Sequence, residues 1–385
     1  MTRWEEAHAA AHAAGARLAR PETVTTADAS GRTLAADVRS LVPLPGYSSS
    51  AMDGWAVRGA GPWRVGGQVV AGDRPGEAAV VDGSARPIMT GGPIPLGTDG
   101  ILRLELGTVE DGSLSAVAAP APGEHIRHAG EESAAGDLLI ERGVVLTPPR
   151  IALAAVAGHD ELVVYRAPRV AGVLLGAEVV AAGMPESGLV RDAYAPQFPA
   201  LFAGLGLVPV GLERVSDDLG RTIAALDGAA ADLIVTTGGT AKGTTDHIRA
   251  ALHHLGAAVM VEQIAMRPGH PLLIARLPDG RLVLCLPGNP FAAMVALVTV
   301  GVPLVDGALG RPLPRLGHAT LAVDVPAGRG GTRLIAARLA GDGATPTSRQ
   351  GSGMLRGLAA ADTILVVGDT GAVAGAMVPT VPLPW

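Results

Sequence analysis

The chain has 385 residues, of which 48% are hydrophobic and only 3% aromatic, and its net charge is −6. At roughly 100–200 residues per domain, this length predicts two to four domains with aliphatic cores. No basic run of five or more residues occurs, so the sequence gives no electrostatic indication of nucleic-acid binding. The single cysteine, Cys285, excludes an intrachain disulfide and a cysteine-based zinc cluster, and its apolar surroundings predict a small buried side chain.

Neither a signal sequence nor a membrane span is predicted. Residues 1–6 are charged and lack an apolar core. The longest apolar stretch, residues 292–305, is too short for a spanning helix and contains Gly301 and Pro303. We therefore expect a soluble, cytoplasmic protein without a membrane partner.

The first half of the chain is predicted to be one helix followed by short strands. Apolar residues recur at helical spacing over residues 3–19, which predicts an amphipathic helix that ends near Pro21. Residues 43–57 contain two prolines and three serines and predict an ordered, irregular loop. Residues 57–140 alternate short apolar runs with Gly, Pro and Asp, which predicts an all-β region, and residues 149–165 predict a helix and a strand.

From Pro168 onward, strand-like and helical segments alternate. Strands are expected at 170–175, 208–212, 233–236 and 282–286, and helices at 196–205, 218–226, 246–255 and 290–300. This alternation predicts a parallel sheet covered on both faces, whose ligands bind beyond the carboxyl ends of the strands. Segments 176–178, 238–246 and 287–290 are expected at that edge. Residues 312–385 return to short strands, with a short helix at 352–360.

The segment that follows the third of these strands is the strongest local candidate for a binding site. Gly238 and Gly239 lie between a buried strand and a helix, where backbone N–H groups are available to an anion, most often a phosphate. The segment matches neither a Walker loop nor G-x-G-x-x-G. A tight turn without a ligand remains the alternative.

A second polar segment, residues 125–132, contains two histidines and two carboxylates near its end. This composition is compatible with a metal site, but the spacing matches no standard ligand motif. A solvated turn is the alternative interpretation.

Seven segments occur in an order that resembles the molybdopterin molybdenumtransferase family, which is related to the gephyrin E domain, and the resemblance covers nearly the whole chain. The segments are Ser-Ala-Met-Asp-Gly-Trp-Ala-Val (50–57), Ile-Met-Thr-Gly-Gly-Pro (88–93), Arg-His-Ala-Gly-Glu-Glu (127–132), the Thr-Gly-Gly segment (237–246), Met-Arg-Pro-Gly-His-Pro (266–271), Leu-Pro-Gly-Asn-Pro (286–290) and Gln-Gly-Ser-Gly-Met-Leu (350–355).

The resemblance implies a multidomain α/β plus β architecture. It comprises a split N-terminal linker domain (1–45 and 140–167) and an inserted β-rich domain (46–139). A central three-layer α/β/α molybdopterin-binding domain with a mostly parallel sheet (168–311) and a C-terminal β-barrel domain (312–385) follow. It also implies an elongated homodimer whose cleft is shared between the subunits.

The reaction implied by the resemblance inserts molybdate into adenylylated molybdopterin and releases AMP and molybdenum cofactor, assisted by Mg²⁺ or another divalent cation. The implied partners are the small-molecule pterin substrate, a second copy of the chain and, as a candidate, the molybdopterin adenylyltransferase. No nucleic-acid partner is expected.

The functional positions of the family correspond, residue by residue, to three sets of residues in this sequence. Expected catalytic residues are Asp53, Thr90, Glu178 and Asp246. Expected substrate-binding residues are Gly238, Gly239, Thr240, Lys242, Arg267, His270, Pro287, Gly288, Asn289, Pro290 and Ser352. Expected metal ligands are Asp53, Glu132, Glu178 and Asp246. Purely structural alternatives remain for these residues: a helix cap for Asp246, turns at Asp53 and at 287–290, and surface cations without a ligand at Arg267 and His270.

The sequence departs from the family pattern at several positions that face the ligand. Residues 174–177 are Leu-Leu-Gly-Ala where the family has Ser-Thr-Gly-Asp, and residues 192–194 are Asp-Ala-Tyr where it has Asp-Ser-Asn. Ser48-Ser49 replaces Asp-Asn, His270 replaces a lysine, and the C-terminal Gly-Arg-Thr pattern leaves Arg329 or Arg333 as its substitute. These losses leave two other hypotheses open: a non-catalytic paralogue that carries the pterin, and a transferase tuned to tungstate or an altered pterin.

Overall fold

The computed structural model describes residues 1–239, 247–328, 330–341 and 343–385. The elements of its N-terminal part are, in chain order, α1 (Trp4–Gly15), β1 (Pro21–Thr25), β2 (Val38–Arg39), β3 (Ser49–Ser50), β4 (Gly54–Arg58), β5 (Trp63–Val65), β6 (Ser84–Ile88), β7 (Gly100–Arg103), β8 (Gly107–Glu110), β9 (Ser113–Ala116), β10 (Ile126–Arg127), β11 (Leu138–Ile140), α2 (Pro148–Val156) and β12 (Glu161–Tyr165).

The strands of this part pair in two ways. β1 pairs with β12 and β2 with β11, both antiparallel, so the chain returns to its N-terminal segment after a long excursion. Within that excursion lies a six-stranded sheet in the order β7-β4-β6-β5-β9-β8. The predicted all-β character of residues 57–140 is confirmed. The predicted first helix is also confirmed, and a short 3₁₀ turn, Ala16–Leu18, ends it.

The central part comprises β13 (Arg169–Leu175), β14 (Val179–Val180), β15 (Val190–Arg191), α3 (Phe198–Gly204), β16 (Val208–Val215), α4 (Leu219–Gly228), β17 (Leu233–Thr237), α5 (His247–His254), β18 (Ala258–Val261), β19 (Met266–Arg267), β20 (Leu273–Arg276), β21 (Leu282–Leu286), α6 (Pro290–Ala296) and α7 (Val302–Ala308). Its six-stranded sheet has the order β16-β13-β17-β21-β20-β18.

Alternate residues of the central strands face two different hydrophobic clusters. In β21, Leu282, Leu284 and Leu286 belong to one cluster, whereas Val283 and Cys285 belong to the other. Period-two alternation with both faces apolar is what a sheet covered by helices on each side requires. The predicted three-layer arrangement and the buried environment of Cys285 are therefore confirmed.

The sheet is mixed rather than wholly parallel. β16, β13, β17 and β21 are mutually parallel, but β20 and β18 run antiparallel at one edge. Neither antiparallel strand was predicted, although the Asp279-Gly280 dipeptide between the apolar runs of β20 and β21 is a strong hairpin signal for β20. Gly280 has a φ of +95°, as such a turn requires.

The helix that follows β21 is longer than predicted. It runs from Pro290 to Ala308, with a π-helical turn at Leu297–Gly301 that accommodates Gly301 and Pro303. Within the part of the chain that the structure describes, it is the one helix long and apolar enough to cross a membrane. Because 89% of its apolar window is buried inside the protein, it is a core helix.

The first helix packs directly against this long helix. A Cβ atom added at Gly15 would lie 1.8 Å from the carbonyl oxygen of Leu304, and one added at Gly307 would lie 2.1 Å from that of His12. The two backbones therefore touch, and the buried face of α1 (Trp4, Ala7, Ala11, Ala14) belongs to the same cluster as the core of the central sheet.

The C-terminal part contains β22 (Gly317–Thr320), β23 (Thr332–Ala340), β24 (Gly343–Pro346), α8 (Leu355–Leu358), β25 (Thr363–Val367) and β26 (Met377–Pro382). Its sheet has the order β19-β23-β25-β26-β22, with β24 paired to β23. An isolated bridge joins Leu321 to Ala344, but closure into a barrel stays a prediction. Strand β19 comes from the central part and ties the two parts together.

Candidate functional site

Three parallel strands end side by side at one edge of the central sheet. In the pairing register, Leu174 of β13 lies opposite Thr237 of β17, which in turn lies opposite Leu286 of β21. The segments that follow them are residues 176–178, 238–239 and 287–290, which are therefore neighbours, as the topology predicts for a ligand site.

The turn after β17 depends on its two glycines. Gly238 and Gly239 have φ values of +87° and +65°, a region that other residues rarely adopt. The N–H group of Gly238 donates to the carbonyl of Leu286 at 3.2 Å, so it extends the sheet rather than facing a ligand. The N–H group of Gly239 has no partner among the described residues.

The segment Pro287–Asn289, which we call the second corner, follows β21. A Cβ atom added at Gly288 would lie 3.4 Å from the Cα of Gly238, so the two turns are in contact. Within the described chain, no hydrogen bond uses the N–H of Gly288 or that of Asn289. Pro290 then begins the long helix, whose N-terminal end adds a partial positive charge.

These segments line a cavity of about 900 Å³, which we call the glycine cavity. Its walls include Leu175, Ala177, Glu178, the Gly238-Gly239 turn, which is the first corner, and Gly288-Asn289 of the second corner. Asp217 lines it as well, and its carboxylate accepts a hydrogen bond from the N–H of Ala177 at 3.1 Å. The volume lies within the range of small-molecule and cofactor sites.

A buried polar cluster forms one wall of the glycine cavity. Asp192 accepts hydrogen bonds from the N–H groups of Tyr194 (2.7 Å) and Ala195 (3.0 Å) and from Arg214 (2.5 Å). Burial opposes the ionisation of Asp192, but these donors outweigh burial and hold its pKa below the ordinary value. Arg214 keeps part of its guanidinium exposed and also lines the cavity.

Tyr194 belongs to the same cluster and reaches the second corner. Its hydroxyl donates to the carbonyl of Gly288 at 2.8 Å and lies 3.3 Å from that of Pro287. The side chain is buried, and burial together with the charge of Asp192 raises its pKa above the ordinary value. The hydroxyl is therefore a proton donor at neutral pH.

A second cleft, of about 840 Å³, lies between the central and C-terminal parts. Arg267, His270 and Arg333 line it, and Arg267 is paired with Arg333 in the register of β19 and β23. Among the described residues neither arginine has an ion-pair partner. The carboxylate of Asp324 also lines the cleft, where it accepts from the N–H of Ala374 at 2.7 Å. Two guanidinium groups that form no ion pair among the described residues favour an oxyanion ligand. We call this the arginine cleft.

Glycines make room for these arginines. A Cβ atom at residue 330 would lie 2.9 Å from Nε of Arg267, and one at residue 328 would lie 2.4 Å from Cδ of Arg333. Arg333 also donates to the carbonyl of Pro326. Of the two arginines offered by the sequence as substitutes, Arg333 therefore lines the cleft, whereas Arg329 lies outside the described residues.

The two cavities meet at Asn289, which lines both. Its side-chain amide lies 3.2 Å from the hydroxyl of Ser352, and the carbonyl of Ser352 accepts from the N–H of Ala292 at 3.0 Å. The C-terminal segment that carries Ser352 thus closes over the start of the long helix, between the glycine cavity and the arginine cleft.

Asp53 and Thr90 form a pair in the N-terminal part. The Oδ1 atom of Asp53 accepts from the N–H of Thr90 at 2.6 Å and from its hydroxyl at 2.8 Å. The backbone hydrogen bond, followed by the hydroxyl, lowers the pKa of Asp53 from its ordinary value. The loops are held together because the N–H of Gly91 donates to the carbonyl of Ser50.

The N-terminal candidates lie apart from both cavities within one chain. Asp53, Thr90 and Glu132 line neither the glycine cavity nor the arginine cleft. In residues 125–132, the carboxylate of Glu131 accepts from the N–H of His128, which is turn geometry. No group of three or more His, Cys, Asp or Glu side chains suited to a metal ion occurs in the described part of the chain.

The structure brings together, around the two cavities, these predicted residues: Glu178, Gly238, Gly239, Arg267, His270, Pro287, Gly288, Asn289, Pro290 and Ser352. Thr240, Lys242 and Asp246 lie outside the described residues. Four residues that line the glycine cavity were not predicted as site residues: Asp192, Tyr194, Arg214 and Asp217. Asp217 follows β16 of the central sheet and Arg214 lies near the end of that strand, which was the available signal for these two residues. Asp192 and Tyr194 follow β15, outside that sheet, and only the resemblance at residues 192–194 pointed to them.

Comparison with known proteins gives matches along nearly the whole chain. Residues 2–158 match the MoeA N-terminal region (domain I and II), residues 171–307 a probable molybdopterin binding domain, and residues 318–383 the MoeA C-terminal region (domain IV).

Individual relatives agree with these matches. The chain is 34% identical over 336 residues to molybdopterin molybdenumtransferase 2 of Mycobacterium tuberculosis, covering 82% of each chain. It is 36% identical over 291 residues to the molybdopterin molybdenumtransferase of Synechococcus elongatus, covering 71% of this chain and 72% of that one. The crystal structure of the molybdopterin biosynthesis MoeA protein from Pyrococcus horikosii superposes with a TM-score of 0.81 at 26% identity, covering 94% of both chains. The chain therefore belongs to the molybdopterin molybdenumtransferase (MoeA) family.

Proposed function

We propose that this protein is a molybdopterin molybdenumtransferase, which inserts molybdate into adenylylated molybdopterin and releases AMP. One observation carries the proposal: the glycine cavity and the arginine cleft adjoin at Asn289. The first offers backbone N–H groups that have no partner within the described residues and lie beside a helix N-terminus, which suits phosphate groups. The second offers two guanidinium groups for an oxyanion. A substrate that spans both would hold its phosphates in one cavity and meet molybdate beside the other.

The chemistry divides between the two cavities. Water attacks a phosphorus atom of the pyrophosphate, one P–O bond breaks, and AMP leaves with its negative charge balanced by nearby donors. The pterin dithiol then binds molybdate through both sulfur atoms, and its two thiol protons leave with one oxygen of molybdate as water. Gly239, Gly288 and Asn289 orient the phosphates, while Arg267, His270 and Arg333 hold the oxyanion.

A divalent cation such as Mg²⁺ would suit this site, where carboxylates would hold it and it would supply positive charge for the substrate phosphates. Mg²⁺ usually binds one or two protein carboxylates and completes its coordination with phosphates and water, so a cluster of three protein ligands is not required. Glu178 and Asp217 supply carboxylates at the wall of the glycine cavity. We propose that Glu178 and Asp246 hold the cation, which neutralises charge on the pyrophosphate.

We further propose a homodimer in which Asp53, Thr90 and Glu132 of one subunit complete the cleft of the other. These residues lie away from both cavities of their own chain, yet Asp53 is held in its ionised form. The exposed apolar side chains of Met52 and Met89 adjoin the Asp53–Thr90 pair, and a partner subunit would cover them.

The direct test of the activity measures AMP after purified protein is mixed with adenylylated molybdopterin and Mg²⁺, with and without molybdate. We expect AMP release that depends on molybdate and is lost in Asp246→Asn. Undiminished release by that variant would refute the role of Asp246. Tight binding of the substrate without AMP release would instead identify the protein as a carrier.

The shared cleft can be tested by mixing two inactive variants. If Asp53 and Asp246 act in the same cleft from different subunits, an Asp53→Asn/Asp246→Asn heterodimer has one intact cleft. Random subunit exchange between equal amounts would then restore about one quarter of the wild-type activity. Mixtures that stay inactive although exchange is verified by mass spectrometry would place both residues in one subunit.

The remaining parts of the proposal concern domain organisation and location. We retain the division into residues 1–45 with 140–167, 46–139, 168–311 and 312–385, which is supported by the pairing of β1 with β12 and by the separate six-stranded sheets. A cytoplasmic location is proposed because the long apolar helix lies within the fold. The molybdopterin adenylyltransferase is the proposed source of the substrate, and its association with this chain is testable by pull-down.

A further inference from the structure

We propose that Tyr194 is a positioning residue whose hydroxyl fixes the second corner, so that two backbone N–H groups are presented to a phosphate of the ligand. The inference deepens the proposed function and rests on it, since the phosphate concerned is that of the adenylylated pterin. Nothing in the family comparison assigns this role to a tyrosine.

The backbone and the ring of Tyr194 are held in place by neighbouring residues, which fixes the position of the hydroxyl. The N–H group of Tyr194 donates to Asp192, which Arg214 holds in turn. The ring packs against Phe198 with centroids 5.4 Å apart, and Phe198 packs against Phe202 at 4.9 Å. The side chain is therefore a rigid connection between the segment before α3 and the turn after β21.

Because each peptide unit is planar, fixing the carbonyl groups of the second corner also fixes the direction of the N–H groups. In a trans peptide the C=O and the following N–H point in opposite directions. Because the Tyr194 hydroxyl binds the carbonyls of Gly288 and Pro287, the N–H groups of Asn289 and Gly288 point away from the ring. Both N–H groups lack a partner among the described residues, and both residues line the glycine cavity.

A glycine-containing turn would otherwise rotate its peptide planes easily. Gly288 is exposed, and its Cα faces Gly238 without a side chain on either residue to restrict the turn. The hydrogen bonds of the Tyr194 hydroxyl restrict this rotation. The second corner is therefore ordered before the ligand binds, and binding does not have to offset the entropy cost of ordering it.

The test compares Tyr194→Phe, which removes only the hydroxyl, with Phe202→Leu as a matched control. Phe202 is fully buried in the same aromatic row but does not line the glycine cavity. For Tyr194→Phe we expect the dissociation constant of AMP, measured by calorimetry, and the KM for adenylylated molybdopterin to rise on the order of fivefold, the worth of one net hydrogen bond. The kcat should stay within about twofold, because uniform binding is lost.

The control separates positioning from general stability. Phe202→Leu should lower the unfolding temperature at least as much as Tyr194→Phe while leaving the affinity for AMP unchanged. An affinity of folded Tyr194→Phe within about twofold of wild type, or an equal loss in Phe202→Leu, would overturn the inference. If wild type binds AMP but releases none from the substrate, the proposed function fails while the AMP titration still decides the role of Tyr194. If wild type releases AMP but does not bind it measurably, the KM for adenylylated molybdopterin decides the role of Tyr194, and an unchanged KM in Tyr194→Phe overturns the inference.

Discussion

Replacing Gly238 by alanine should disrupt the edge of the central sheet at which three parallel strands end. Two costs can be worked out from the structure. At a φ of +87°, an alanine costs roughly 1–2 kcal/mol in backbone strain. Its Cβ would also lie 2.8 Å from the carbonyl oxygen of Leu175, at the end of β13. Relieving that overlap requires backbone movement in a packed region, which costs about 1–3 kcal/mol more.

Gly188→Ala is the matched control because it shares the strain but not the overlap. Gly188 has a φ of +92°, and an added Cβ would meet no atom within 4 Å. The difference between the two variants therefore isolates the close approach of β13 to the turn after β17. We expect Gly238→Ala to be less stable than the control by about 2 kcal/mol.

The assay is thermal unfolding of both variants, combined with AMP release. For a domain of this size the difference corresponds to roughly 4–8 °C in unfolding temperature. We also expect AMP release to fall at least about tenfold in Gly238→Ala only, since a misplaced corner loses contacts to phosphate. If the two variants unfold at the same temperature, the overlap with Leu175 does not constrain this turn, and the reasoning is refuted.

Three further predictions follow from the other contacts. Thr90→Val removes one of the two donors that lower the pKa of Asp53, so the acid limb of the pH–activity profile should move to higher pH. The shift should be partial because the backbone N–H of residue 90 remains. An unchanged acid limb would show that ionised Asp53 is not required for activity. Arg333→Ala should raise the molybdate concentration for half-maximal AMP release on the order of tenfold, whereas Arg338→Ala, on the same strand but outside the arginine cleft, should leave it unchanged. Removal of divalent ions with a chelator should stop AMP release and added Mg²⁺ should restore it, while retained activity in the chelator would argue against a metal-bridged pyrophosphate.

The central sheet was largely predictable because its pattern is local. Each of its four parallel strands is a short run rich in apolar residues followed by a turn or a helix, and the alternation of strand and helix fixes where their carboxyl ends lie. The antiparallel edge was missed for a different reason: the Asp279-Gly280 turn marks the hairpin of β20 and β21, but β18 is a four-residue strand with no such turn beside it.

The candidate site was predictable only in part, because several of its contacts join distant segments. The pairing of Arg267 with Arg333 depends on β19 leaving the central part to join the C-terminal sheet, which no local pattern indicates. Tyr194 stands where the family has an asparagine, and the sequence alone indicated only a lost polar group. In the structure its hydroxyl donates to the carbonyl of Gly288, 94 residues away. Motif matching finds the corners themselves but not the side chains that orient them.

The close backbone contacts that Gly15 and Gly307 allow between the first helix and the long helix have a practical consequence for dissecting this protein. A fragment cut at the expected boundary, beginning at residue 168, would lack the first helix and leave a strip of the long helix bare where backbone normally meets backbone. Such a fragment should aggregate or misfold when produced alone. Supplying residues 1–18 as a fused or separately added peptide should recover a soluble central part. A fragment made to study the glycine cavity should therefore include these residues.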